Sequence, residues 1–185
     1  MAKELTKQAI ADAFIRLLNQ YPLEKITVKN IVETCGINRN TFYYHYQDIY
    51  ALLEDIFERE AEKAIAISGN YENWQEGFVE SAHFALENKR AIYHIYNSIN
   101  RDQLERYLFR VTEHMMVDFV RQQATGLTVA EEDIRYIALF YKHALVGIVL
   151  EWVQDGMKIE PEPAIARLGQ IFNGNIRSTL ERIAK

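Results

Sequence analysis

Residues 27–46 of the chain read TVKNIVETCGINRNTFYYHY. In that run Arg39 and Asn40 are the side-chain types whose paired polar atoms match guanine and adenine edges respectively, and Thr41 can meet a thymine methyl. Tyr43 and His45 carry polar tips able to reach phosphate oxygens, while Thr27 and Lys29 stand where a helix N-terminus favours an anion. Elsewhere the chemistry-bearing residues are scattered. The one Glu-x-x-His is Glu80 to His83, whereas a carboxylate-bridged dimetal bundle needs two such pairs and two further carboxylates. The sequence holds no His-Glu-x-x-His, no phosphate-cradling glycine loop and no Gly-x-Ser-x-Gly. A single cysteine, Cys35, makes neither an internal disulfide nor a thiolate zinc cage. Glu131, Glu132 and Asp133 open a helix, where the dipole suits acids. These patterns predict no enzyme, no metal and no cofactor. The rival is a helical enzyme or metalloprotein using His83, His94 and nearby acids, which metal analysis would reveal.

The elements that must position residues 27–46 can be read from periodicity. Ile10, Ala13, Phe14, Leu17, Leu18 and Tyr21 recur at helical spacing, and the helix stops at Tyr21-Pro22 because the residue before proline disfavours helical torsions. Thr27 is a good N-cap for a short helix to about Cys35, with Val28, Ile31 and Val32 inward. Gly36 suits a left-handed end. Asn38 then caps a third helix through about His45, and Asp48 a fourth that carries Ile49, Leu52, Leu53, Ile56 and Phe57 on one face. Two short helices around a tight glycine turn make a helix-turn-helix, whose second helix enters the DNA major groove. The wedge of Ile31, Val32, Ile37 and Phe42 leaves Arg39, Asn40, Thr41, Tyr43 and Tyr44 facing outward. Aromatic residues at 42, 43, 44 and 46 are too many for a short helix to bury, so some must face a partner.

Here the residues resemble a known family. Thr27, Cys35-Gly36-Ile37-Asn38 and Thr41-Phe42-Tyr43-Tyr44-His45-Tyr46 are similar, in order and spacing, to the DNA-binding segment of the TetR (tetracycline repressor-like) family of bacterial transcription regulators. The resemblance covers roughly residues 6–55. It implies DNA contacts from Thr27, Lys29, Asn38, Arg39, Asn40, Thr41, Tyr43, Tyr44 and His45. Ile49 stands where the family usually has a phosphate-contacting lysine, so the electrostatic grip shifts toward Lys25, Lys29 and the N-terminus of helix four. Asn38 replaces a common serine and still serves as an N-cap.

Beyond a soft boundary at Ser68-Gly69-Asn70 the pattern predicts helices over about 72–88, 89–98, 101–124, 128–155 and 162–183, with no strand. The fold class is therefore all-α. An N-terminal three-helix helix-turn-helix domain spans 1–48, helix four (48–67) connects, and a helical domain spans 69–185. The resemblance implies that this last domain binds an effector and dimerises. The stretch from Gly147 to Gly156 resembles a segment near the dimer-forming helices of many members, and is loosely similar to regulators of dihydroxyacetone kinase operons. Ile134, Ile137, Tyr141, Ala144, Leu145, Ile148 and Trp152 form one stripe; Ile165, Leu168, Phe172, Ile176, Leu180 and Ile183 form another. Both suit a homodimer through the last two helices, or their own domain's core. Tyr107, His114, Met115, Phe140 and His143 are the candidate lining of an effector pocket, since adaptable Met and aromatic groups with a few polar tips suit a small organic molecule.

Composition agrees. At 185 residues with 49% apolar and 12% aromatic content, the chain can bury a core, and Pro 3 with Gly 8 is too few for a many-stranded sandwich. The 21 basic and 26 acidic residues leave a net charge of -5, but residues 1–50 hold six Lys/Arg against five acids. Non-specific polyanion coating is disfavoured, yet a compact basic surface near the N-terminus remains. With no signal-like N-terminus, and with the greasiest segment cut by Lys142 and Glu151, a cytoplasmic protein with no membrane contact is expected. The expected function is a homodimeric repressor that binds a palindromic operator on double-stranded DNA and is released by a small effector. The alternative is a regulator controlled by a protein partner, or an activator.

Overall fold

The computed structural model describes residues 2–68 and 74–184. Gly69 and Asn70 of the expected boundary, and the first residues of the helix expected over 72–88, lie outside them. The regular structure among the described residues is helical, without strands: α1 (Ala2–Leu18), α2 (Val28–Cys35), α3 (Arg39–His45), α4 (Ile49–Ser68), α5 (Trp74–Glu87), α6 (Lys89–Tyr96), α7 (Arg101–Gln123), α8 (Glu131–Gln154) and α9 (Pro161–Ile183). A 3-10 turn, Leu23–Lys25, follows α1.

The chain packs as two compact units, one of residues 1–60 with 87–104 and one of 61–86 with 105–185. This differs from a division at 48 and 69. Residues 87–104 join the N-terminal helices because α1 ends in polar groups that hold α6. The Asn19 amide donates to the Asn88 side-chain oxygen at 3.3 Å and accepts from the Ala91 N–H at 3.2 Å. The His94 ring bonds through Nδ1 to the Leu18 carbonyl at 2.6 Å. α1 stops at Leu18, short of Tyr21, which is exposed. Its last turn tightens, with Gln20 N–H donating to Leu17 at 2.9 Å, and Asn19 also bonds back to Ile15. In this unit Ile10, Phe14, Leu18, Leu23, Ile31, Phe42, Leu52 and Leu53 are sealed from solvent, each side chain contributing about 1.5–3 kcal/mol of burial.

The second unit is built on Trp74, Val111, Met115, Met116, Phe119, Val120, Ile134, Ala138, Leu145, Ile165, Phe172, Ile176 and Leu180. The stripes on α8 and α9 that suited either a dimer seam or a core are mostly core: Ile134, Leu145, Ile165, Phe172, Ile176 and Leu180 are buried within the unit. α8 carries a second apolar face, rotated from the first, where Tyr136, Leu139 and Phe140 stand exposed. Two such faces explain why α8 has an 18-residue window of mean hydropathy 1.4, long and apolar enough to cross a membrane. Lys142 and Glu151 therefore do not interrupt it as the sequence suggests. Lys142 is itself buried, its ammonium 3.0 Å from Glu113. The Arg177 guanidinium closes the far end of α7 by donating to the carbonyls of Gln123 (2.6 Å) and Thr125 (3.1 Å), which a helix end leaves open.

Candidate nucleic-acid interface

The turn at the centre of residues 27–46 is fixed by local chemistry. Thr27 and Asn30 form a reciprocal cap: the Asn30 N–H donates to the Thr27 hydroxyl, and the Asn30 side-chain oxygen accepts from the Thr27 N–H at 3.0 Å. Gly36 ends α2 at φ 72°, ψ 29°, a left-handed conformation that costs a side-chain-bearing residue about 1–2 kcal/mol. Asn38 then starts α3 by accepting the Thr41 N–H at 2.8 Å. Phe42 is 0% exposed and anchors the buried side of α3.

On the other side α3 shows a row of polar-tipped groups. Arg39 and Asn40 are exposed at its first turn, with Tyr43 56% and Tyr44 73% exposed beyond them. Thr41 is half-buried, and its hydroxyl lies 3.1 Å from the Asn38 oxygen. Lys29 projects from α2 with only a loose 3.8 Å pairing to Glu33, which leaves its charge accessible. Arg39, Asn40, Tyr43, Tyr44 and Lys29 are thus brought to an accessible surface.

Three of the expected contacts have other work. The Thr27 hydroxyl donates to Asn30 at 2.6 Å, and the Asn38 oxygen is spent on the cap. His45 is half-buried, with its Nδ1 enclosed and unpartnered among the described residues and its ring edge-on to Tyr44 at 5.1 Å. At the N-terminus of α4 the Asp48 carboxylate accepts the N–H groups of Tyr50 and Ala51, both at 2.8 Å.

The structure adds residues that the sequence did not single out. Lys3 of α1 places its ammonium 5.6 Å from the Tyr44 ring centre, so a cation sits beside the recognition helix. Tyr46, the residue that ends α3, is buried and donates to Asp55 of α4 at 2.8 Å. The same carboxylate accepts from Lys7 of α1 at 2.9 Å and pairs with Arg59 at 3.0 Å. Burial alone would raise the Asp55 pKa, but the bonds from Lys7 and Tyr46 and the Arg59 charge outweigh it and hold the carboxyl below its ordinary value. Burial and the Asp55 bond push the Tyr46 phenol upward, so it stays a donor at neutral pH. One ion thus ties α1, the end of α3 and α4 together. The readable signal was a carboxylate at Asp55 three residues beyond Leu52, beside the buried face of α4.

The candidate effector residues do not gather around one interior space. Met115 is buried in the second core and Tyr107 packs against it. His114, Phe140 and His143 are exposed: His114 lies 3.4 Å from Asp118, Phe140 is 70% exposed, and the His143 ring is tilted against Phe109 at 5.0 Å. Of the histidines in the metalloprotein rival, His83 pairs with Glu162 and His94 bonds Leu18.

Comparison with known proteins accounts for both halves. Residues 10–56 match the family described as bacterial regulatory proteins, tetR family, and residues 72–174 match a transcriptional regulator C-terminal region. The HTH-type dhaKLM operon transcriptional activator DhaS of Lactococcus lactis subsp. lactis (strain IL1403) is 32% identical over 85 residues, a match covering 46% of each chain and so under half of that relative. Tetracycline repressor protein class D of Escherichia coli is 24% identical over 167 residues, 86% of this chain and 72% of the repressor. A solved structure titled dihydroxyacetone kinase operon activator DhaS superposes with a TM-score of 0.78 at 21% identity, covering 97% of this chain and 98% of its own, which shows a shared fold. An exposed recognition helix on a capped helix-turn-helix, followed by a matching C-terminal region, places this chain in the TetR family of bacterial transcription regulators.

Proposed function

We propose that the chain is a homodimeric repressor that reads a palindromic operator with α3 and is released by a small organic effector held in its second unit. The observation that carries the reading is the two-sided character of α3. Phe42 is sealed inside while Arg39, Asn40, Tyr43 and Tyr44 are presented outward at the start of a helix fit for the major groove. Arg39 and Asn40 read base edges; Tyr43, Tyr44, Lys29 and Lys3 hold phosphates. Thr27, Asn38, Thr41 and His45 contribute chiefly by setting the turn and the end of α3. This function needs no catalytic group or cofactor and belongs in the cytoplasm with the DNA.

A palindrome requires a two-fold protein. The face that supports a second copy is the exposed stripe Tyr136, Leu139, Phe140 and His143 on α8, and α9 also leaves Ile171 exposed. Phe140 and His143 are therefore assigned to the dimer seam, leaving Tyr107 and Met115 with the effector. Because α4 runs unbroken from Ile49 to Ser68, it carries the chain from the operator-reading unit into the effector unit. Effector and operator affinities must then oppose each other by the same factor. The long match to tetracycline repressors supports the repressor sign. A second reading, in which the same DNA binding activates transcription, draws its support from the 32% match over 85 residues to the DhaS activator.

The test is selection of bound fragments from the source genome, followed by a reporter driven by the enriched site. Enrichment of a palindrome, with reporter output rising when the protein is removed, is the outcome expected of a repressor. Falling output would assign the activator sign, and an enriched set without two-fold symmetry would contradict the dimeric reading.

A further inference from the structure

In the second unit two adjacent residues at the start of α5 carry buried polar atoms that the fold does not use. The Trp74 indole Nε1 and the Gln75 side-chain oxygen are both enclosed without a hydrogen-bond partner among the described residues. Trp74 is 4% exposed, inside an aromatic cage: Phe172 stacks on it at 5.4 Å, Phe78 meets it edge-on at 5.4 Å, and Phe119 lies 6.3 Å away. Buried donors and acceptors are almost always paired, because leaving one bare forfeits its hydration without return. Two neighbouring exceptions, one a donor and one an acceptor, describe the two halves of a recognition edge.

The position of Gln75 shows where that edge lies. Gly169 of α9 has no Cβ, and an added one would stand 2.1 Å from the Gln75 amide nitrogen, so this amide fills the notch that the glycine leaves. Phe172, which stacks on Trp74, is three residues further along the same helix, less than one turn away. Trp74 and Gln75 therefore meet the same stretch of α9. The rings that meet Trp74, those of Phe78, Phe119 and Phe172, are all apolar, so an ionised ligand laid along the indole would lose its hydration against them with nothing to replace it. Gln75 is unbranched, so rotation about its side-chain bonds can carry its amide out of the Gly169 notch.

We infer that Trp74 and Gln75 form the polar edge of a binding site for a flat, neutral aromatic lactam or amide. The ligand's carbonyl accepts from the indole N–H, and its own N–H donates to the Gln75 oxygen. This rests on the effector reading above and specifies its ligand class.

The probe is carbostyril, a bicyclic lactam, with N-methylcarbostyril as the control that lacks the donor. In a full-length Trp152→Phe protein the only indole is Trp74, so its N–H resonance reports the site directly. Carbostyril should move that resonance downfield and saturably, with N-methylcarbostyril weaker by on the order of 100-fold. Two variants keep the fold. Gln75→Met removes the stranded acceptor, so it should raise the melting temperature by about 2–6 °C while weakening carbostyril by about 10–100-fold. Gly169→Ala fills the notch, favours the helix and should abolish binding. An unmoved indole resonance, equal affinity for the N-methyl compound, or a lower melting temperature for Gln75→Met would each overturn the site. Operator affinity is measured separately with carbostyril present. Saturable binding that leaves operator affinity unchanged upholds the site and refutes the effector reading, whereas operator release by other molecules with the indole unmoved does the reverse.

Discussion

Replacing Asp55 with alanine removes the one carboxylate that accepts from Tyr46, Lys7 and Arg59. The three losses are unequal. The Tyr46 ring is buried, so its hydroxyl is left without a partner, at a cost of about 1–2 kcal/mol. Lys7 and Arg59 are partly exposed at the pair and regain water, so they add about 0.5 kcal/mol each. The total is about 2–3 kcal/mol, or roughly 4–12 °C in the melting temperature of a chain of this length. The assay is thermal and urea unfolding of Asp55→Ala, Tyr46→Phe and the double variant. With the hydroxyl already gone, the alanine change should cost only about 1 kcal/mol, a coupling of about 1–2 kcal/mol. Because the folded Asp55 pKa lies below its ordinary value, its stabilisation is complete above the unfolded value of about 4 and disappears as pH falls through the folded one. The gap between the native protein and Asp55→Asn should therefore narrow steadily below about pH 5. Strictly additive substitutions, or a pH-independent gap, would refute the claim that this ion fastens the end of the recognition helix to α4.

Other changes separate reading from gripping and from assembly. Arg39→Ala should cost about 1–3 kcal/mol of operator affinity and relax preference at one base pair per half-site, seen by competition among single-base variants. Tyr43→Ala should instead weaken all sequences evenly. Phe140→Asp should convert the dimer to monomer in sedimentation and reduce operator affinity on the order of 100-fold or more, since the two half-sites are no longer held by one particle. Gly36→Ala should destabilise the N-terminal unit by about 1–2 kcal/mol in urea unfolding, the cost of a left-handed residue with a side chain.

The parts legible in the sequence are those set by local rules. Thr27, Gly36 and Asn38 announce themselves because caps and left-handed ends are written in one or two residue types. The exposure of Arg39, Asn40, Tyr43 and Tyr44 follows from burying Phe42 on a short helix. What escaped was contact between residues far apart in sequence. Lys3 over Tyr44 and Lys7 with Asp55 depend on how α1 lies against α3 and α4, which periodicity does not encode. The α8 stripe was a different failure. That helix is apolar on two faces, so spacing alone could not tell the core side from the open one, and His143 and Phe140 read as pocket when they stand outside. The Trp74 and Gln75 pair was invisible for a similar reason, since being unpartnered is a property of surroundings rather than of residue type.

The central claim is that α3 reads a palindromic site through Arg39 and grips its backbone through Tyr43. It is tested most directly by selecting genomic fragments at roughly physiological salt, where non-specific phosphate binding is suppressed, with the native protein and an Arg39→Ala, Tyr43→Ala double variant side by side. The account predicts one enriched palindrome whose half-sites recur at the helical repeat of about 34–36 Å, lost in the double variant. The same enrichment by both proteins would contradict it.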